Sequence, residues 1–293
     1  MRRLITVISL TIIWTTSWAA DNHVFNQQNA PKTTHVFSSP PTHDPCTITV
    51  YLHGDLVKPF QKDVIENFQF SEAAKQAPGG IVLVPNLMST CPGTKICRAK
   101  YYDNFSFKTF LEASLTHLQS KGMCVNGIDK ISFIGHSAIY NVVDKRLLDE
   151  IISKDSCARP PGIMGKVQNI ALIDSLFYTN PVSTERYKQF TNKLQHCPSA
   201  NLHFAHLARN IRGHAPHTNN CALSGIRNCE LSTQISMTSP TQFIVAQEKY
   251  NRGASSSPEH WDVVRDTLPQ WFKIFHRPTD AATPTIRSQQ DKK

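Results

Sequence analysis

Lys130-Ile131-Ser132-Phe133-Ile134-Gly135-His136-Ser137-Ala138-Ile139-Tyr140 is the stretch that decides the fold. An apolar run ends in Gly-His-Ser, and a helical pattern begins at once, with Tyr140, Val143, Leu147, Leu148 and Ile151 on one face. Strand, sharp turn with a serine at its tip, then helix is the layout of a nucleophile elbow. The turn lifts the hydroxyl above the end of a sheet. It also brings it beside a helix N-terminus, where free N–H groups favour negative charge.

Working outward, Thr47 to Leu52 is rich in β-branched residues and reads as a strand, ended by His53-Gly54-Asp55. Phe60, Val64, Ile65 and Phe68 recur at helical spacing over 60–76, and Pro78-Gly79-Gly80 stops that helix. Ile81 to Val84 is a continuous apolar run, as in a strand covered on both faces. After a long loop over 86–104, Phe107, Phe110, Leu111, Leu115 and Leu118 mark an amphipathic helix that ends at Gly122. Beyond the elbow, Val167 to Ile173 reads as a strand ending at Asp174. A helix over 184–196, a strand over 202–207 and a last strand over 243–246 follow. The polar loop from Asn251 leads to His260 and a final amphipathic helix. Strand and helix alternate without an internal repeat. The expected fold is therefore α/β, a mostly parallel central sheet with helices on both faces, as one domain over 46–276.

A serine hydroxyl is a weak nucleophile until an imidazole takes its proton, and a carboxylate must hold that imidazole in the right tautomer. After a nucleophile on such an elbow the acid and then the histidine follow in chain order. His260, which opens the last helix, suits the base. Asp174, at the end of the strand after the elbow helix, suits the acid. A later acid position is empty, because no Asp or Glu occurs between Leu207 and Glu230. Asp262 is the competing carboxylate, two residues from His260. Backbone N–H groups would hold the oxyanion: that of Ala138, and a second from the Gly54-Asp55 turn, where the missing side chain of Gly54 lets substrate approach.

The N-terminus bears on compartment. Met1-Arg2-Arg3, an apolar run from Leu4 to Trp14 and Ser17-Trp18-Ala19 read as a secretory signal peptide over 1–19, an uncleaved anchor being the alternative. Residues 20–45, with four prolines, read as an extended polar leader without a core of its own, and 277–293 as a disordered basic tail. The protein is thus expected to be secreted or periplasmic. Eight cysteines fit export and disulfide bonding. Cys91–Cys97 and Cys221–Cys229 each bracket a short polar loop and are expected to pair locally. Cys46, Cys124, Cys157 and Cys197 are then left for two longer bridges, of open connectivity, against the alternative of free thiols. The formal charge of +9 falls to +7 once Arg2 and Arg3 leave with the signal. A basic exported protein suits association with anionic surfaces or wall polymers, and no nucleic-acid motif is present.

Together these residues resemble the α/β-hydrolase superfamily. They are most similar to bacterial exported or uncharacterised hydrolases with a Gly-His-Ser-Gly-Gly-Tyr type elbow, a strand ending in Leu-Leu-Asp-Ala-Leu-Tyr and a late histidine before an amphipathic helix. The matching stretches here are Gly135 to Tyr140, Leu172 to Tyr178, and His260 to Val264, within a likeness spanning 46–275. The resemblance implies a serine hydrolase with Ser137, Asp174 and His260 as its triad, no cofactor and no metal. It also implies acyl transfer on a carboxylic ester, with a cell-wall peptide amidase or carboxypeptidase as the alternative. The substrate would be a small molecule or a fragment of cell wall. One position departs: Ile139 stands where the pattern has its last glycine. That glycine relieves crowding behind the elbow, so Ile139 would be the sign of a non-catalytic binding protein on a hydrolase scaffold.

Two other groups invite chemistry. His203, His206, His214 and His217 form two His-x-x-His pairs, a zinc-like spacing. On a strand His203 and His206 would face opposite ways, which disfavours a shared ion. Tyr101, Tyr102, Phe105 and Trp261 could line an apolar pocket or simply pack the core.

Overall fold

The continuous apolar runs become the interior strands of one sheet. The computed structural model describes residues 33–38, 45–56, 60–75, 79–87, 105–139, 142–151, 160–173, 203–207 and 258–276. Among them are strands β1 (Thr34–Ser38), β2 (Cys46–Leu52), β3 (Gly80–Pro85), β4 (Ile128–His136), β5 (Val167–Ile173) and β6 (His203–Leu207). Their order in the sheet is β1-β3-β2-β4-β5-β6. β1 runs antiparallel to β3, and every other pairing is parallel.

β1 falls within the stretch that composition alone reads as a leader without a core. Its five residues instead pair along β3, from Thr34 opposite Pro85 to Ser38 opposite Ile81, and bury Val36 and Phe37. An antiparallel edge strand needs few apolar residues, because one ladder holds one side of its backbone and water can satisfy the other. The bridge between Cys46 and Cys124 fastens the first residue of β2 to the turn beyond α2 (Phe107–Ser120), and both cysteines are buried. Closing a loop of 78 residues removes unfolded-state entropy worth about 4 kcal/mol. The expected bridges Cys91–Cys97 and Cys221–Cys229 lie outside the described residues, as do segments 1–19, 184–196, 243–246 and 277–293.

Each face of the sheet has its own cover. On one face Ile48, Val50, Leu52, Phe133, Ile170 and Leu172 meet Phe107, Phe110 and Leu111 of α2 and Val143 and Leu147 of the helix after the elbow. That helix runs as wide turns over Val143–Leu147 and continues as Leu148–Ile151. The Glu150 carboxylate at its end accepts from the Phe107 and Lys108 N–H groups at 3.0 and 2.7 Å, which caps α2 from another element.

The opposite face is covered by α1 (Phe70–Lys75) and by the C-terminal helix Pro258–Phe275, through Val264, Leu268, Trp271, Phe272 and Phe275. The helix expected over 60–76 is broken at Gln69, whose φ is +49°. Its carbonyl accepts from Glu72 and Ala73, which starts α1. The break lets Phe68 and Phe70 both reach Tyr51, with ring centroids 5.6 and 5.0 Å away. At the far end of the C-terminal helix, His276 Nε2 meets Thr49 Oγ1 at 2.9 Å. Its ring occupies the space over Gly80, where a Cβ would come within 2.1 Å of it. No helix among the described residues is long and apolar enough to cross a membrane.

Candidate active site

Strands β2, β4 and β5 end together. Leu52 pairs with Gly135, Gly135 with Leu172, and His136 with Ile173. In open parallel sheets ligands bind beyond the carboxyl ends of the strands, and the residues singled out in the sequence follow these ends.

Ser137 comes directly after β4 and opens a tight turn, Ser137–Ile139. Its φ is +59°, in the left-handed region that residues with a Cβ rarely occupy. That strain, of order 1–3 kcal/mol, is held by the strand on one side and the packed helix on the other. The serine is only 7% exposed. The turn also carries the Ala138 peptide.

Ile139 is fully buried. The room it needs comes from Gly135, four residues earlier, where a Cβ would lie 2.6 Å from Ile139 Cγ2 and 3.0 Å from Leu172 Cδ2. The glycine before the serine thus leaves the space that Ile139 fills.

The strand that leads to the candidate acid is in place. Ile173, the residue before Asp174, pairs with His136, the residue before Ser137. Asp174 lies outside the described residues. His260 stands in the first turn of the C-terminal helix, where its backbone alone is described. The next residue, Trp261, is in ring contact with the elbow: its ring lies 5.4 Å from His136, edge to face, and stacks on Phe68 at 5.8 Å. His136 also meets Phe68 edge-on at 6.2 Å. The chain neighbours of Ser137 and His260 therefore touch. Asp262, the competing carboxylate, is engaged on the helix surface by Arg265 one turn on.

Beyond β2, His53 and Gly54 are buried and Asp55 is half-buried. His53 has no exposed surface. Its Nε2 accepts from the Leu87 N–H at 3.0 Å, and its Nδ1 lies 2.8 Å from the Gly54 carbonyl. Burial pulls the His53 pKa down to about 4, against the opposing pull of the Gly54 hydrogen bond, so the ring is neutral at pH 7. A neutral imidazole has one N–H. With Nε2 accepting, the proton sits on Nδ1 and is donated to Gly54. Sequence spacing gave no sign of this arrangement, because Leu87 is 34 residues away. The contact between His136 and Trp261 was equally silent.

The other expectations divide. Phe105 is core, packed on Phe107 and Phe110 at 4.8 and 5.5 Å, rather than pocket lining. Tyr101, Tyr102, His214 and His217 lie outside the described residues, and His203 and His206 fall on β6. Among the described residues no three His, Cys, Asp or Glu side chains cluster to hold a metal.

Among the described residues, a mostly parallel sheet of six strands, helices on both faces and a serine on a left-handed turn after a central strand match the α/β-hydrolase fold, and this chain has it. Among solved structures it resembles an IroE-like serine hydrolase from Shewanella oneidensis, with a TM-score of 0.51 at 11% identity over 87% of this chain and 80% of that one. A soluble variant of monoglyceride lipase from Saccharomyces cerevisiae gives 0.47 at 9% identity, over 90% of this chain and 97% of that one. An uncharacterised protein from Capnocytophaga ochracea gives 0.45 at 12% identity, over 87% of this chain but only 64% of that one, less than two thirds of its length. At such identities the likeness is one of fold. No protein-family model matches the sequence, and no curated protein matches it.

Proposed function

We propose that the protein is a serine hydrolase that works by acyl transfer on a carboxylic ester. Ser137 attacks the carbonyl, His260 takes and returns the proton, and Asp174 orients His260. The Ala138 and Asp55 N–H groups hold the oxyanion, and no cofactor takes part. The observation that carries this reading is Ser137 itself: a buried serine at φ +59° on the carboxyl end of a central strand. A left-handed, non-glycine residue at such a place needs a reason, and presenting a nucleophile supplies one. Further support comes from Trp261, which seats the start of the C-terminal helix against the elbow. The buried side chain of Ile139 finds room beside Gly135, which supports a working elbow.

Export to the periplasm or medium belongs to the same proposal, supported by the N-terminal pattern and the Cys46–Cys124 bridge. A substrate from the cell wall would suit that compartment and the positive charge.

A fluorophosphonate probe tests the mechanism. Wild-type protein should be labelled at Ser137, and Ser137→Ala should lose labelling and roughly a millionfold in kcat with its melting temperature retained. A folded wild type that stays unlabelled, or a variant labelled equally well, overturns the proposal. Parallel assays on aryl esters and aryl amides then separate the two bond types.

A further inference from the structure

We infer that His53 is a positioning residue that aims the Asp55 N–H at the oxyanion by holding the Gly54 carbonyl; this deepens the acyl-transfer reading above and rests on it.

The Gly54–Asp55 peptide is one planar unit. In a trans peptide the carbonyl and the following N–H point in opposite directions. Fixing the Gly54 oxygen therefore fixes the Asp55 N–H. His53 supplies the fixing bond at 2.8 Å, through the Nδ1–H that its neutral tautomer carries. The ring is itself fixed from the other side, because its Nε2 accepts from the Leu87 N–H at 3.0 Å, just past the end of β3. Phe60 lies against it with ring centroids 5.1 Å apart. The imidazole thus bridges two strand ends, and a peptide next to a glycine loses its freedom to turn. Without that restraint the peptide can flip by turning ψ of Gly54 against φ of Asp55, and glycine, with no Cβ, resists such a turn least. A flip would point a carbonyl oxygen, not an N–H, toward developing negative charge. The ring is fully buried, so it acts on turnover through the backbone that it holds.

Two substitutions separate the two bonds. In His53→Asn the amide nitrogen takes the place of Nδ1 and keeps the tie to Gly54, while the Leu87 tie is lost. In His53→Gln the amide oxygen reaches the place of Nε2 and keeps the Leu87 tie, while the Gly54 tie is lost. Both should lower the melting temperature. The expected result is a split in turnover on an aryl ester: His53→Gln loses about a hundredfold in kcat with KM little changed, the scale of one oxyanion donor, whereas His53→Asn recovers most of it. Equal kcat losses in the two variants, tracking stability alone, overturn the positioning role.

A measurement on wild type covers the case in which both variants unfold. Nitrogen-15 NMR of labelled histidines should show one imidazole still uncharged at pH 5 with its proton on Nδ1. The same ring protonated on Nε2 overturns the inference, because it could not accept from Leu87. A wild type that neither labels at Ser137 nor turns over ester removes the parent reading and the role of His53 with it. An active, labelled wild type with equal losses in the two variants removes the role alone.

Discussion

On the face beneath α2 and the elbow helix, β2, β4 and β5 bury Ile48, Val50, Leu52, Phe133, Ile170 and Leu172. On the face beneath the C-terminal helix the same strands bury Thr49, Tyr51, Ser132, His136 and Asn169. Thr49, Ser132 and Asn169 stand in register across the sheet. Asn169 Nδ2 donates to Ser132 Oγ at 2.8 Å, and Thr49 meets His276 at 2.9 Å. The first face is an apolar filling that tolerates any well-packed substitute of the same volume. The second is directional. Hydrogen bonds and ring edges have preferred geometries, so they fix where the C-terminal helix lies along the sheet. That helix carries His260 at its start. Both faces bury an apolar core, and the directional contacts that place the helix belong to the second.

Truncating the apolar face should give the largest effect. Phe133→Ala removes a fully buried ring and should cost about 3–5 kcal/mol in denaturant melts. Ester turnover per folded molecule should stay the same. If it falls steeply, the division between the faces is wrong.

Acid should reach the second side through His53. Its folded-state pKa of about 4 lies below the ordinary 6.5. As pH falls from 6.5 the unfolded chain takes up a proton that the folded chain refuses, so stability declines until the pH reaches the folded value. Across that window the loss is roughly 3 kcal/mol from this group. Comparing the pH dependence of stability of wild type and His53→Gln checks the sign. The variant should be flatter between pH 6.5 and 4, and parallel curves would assign the acid sensitivity to other groups.

The smallest change in stability and the sharpest test of placement come from Trp261. It is only half-buried, so Trp261→Ala should cost about 1 kcal/mol. Its contact with His136 is what seats the first turn of the helix on the elbow. Turnover should therefore fall by about tenfold or more, while Trp261→Phe, which keeps an aromatic edge, should retain most activity. A tryptophan that matters only to folding would show matched losses in both quantities.

The apolar face was legible in the sequence for the same reason that it is tolerant. Strands such as Ile81–Val84 and Ile131–Ile134 announce themselves by hydrophobicity alone, and the helix over 107–120 by its spacing. The turn at Ser137 was legible because it is written in a local pattern, a strand running straight into Gly-His-Ser. Features set by contacts between distant residues were not. β1 is hidden among Pro31, Pro40, Pro41 and Pro45, and its pairing depends on β3, more than 40 residues later. The break at Gln69 occurs at a residue with no special tolerance of positive φ. Among four cysteines of open connectivity, the partnership of Cys46 with Cys124 follows from the parallel register that places Cys46 beside Ile128. His53 could be placed beside the Gly54-Asp55 turn, but whether it faced outward or into the core depended on Leu87.

Gly135 and Ile139 are bound to each other in a way that shapes how this elbow can change. The elbow pattern that it resembles has glycine at both places, so the single exchange Ile139→Gly leads toward it. That exchange empties a fully buried site, and any larger residue at Gly135 collides with the isoleucine while it remains. The glycine before the serine is thus locked by the isoleucine after it, and the isoleucine by the void that its loss would leave. Packing alone holds the pair, with no contribution required from the chemistry of Ser137.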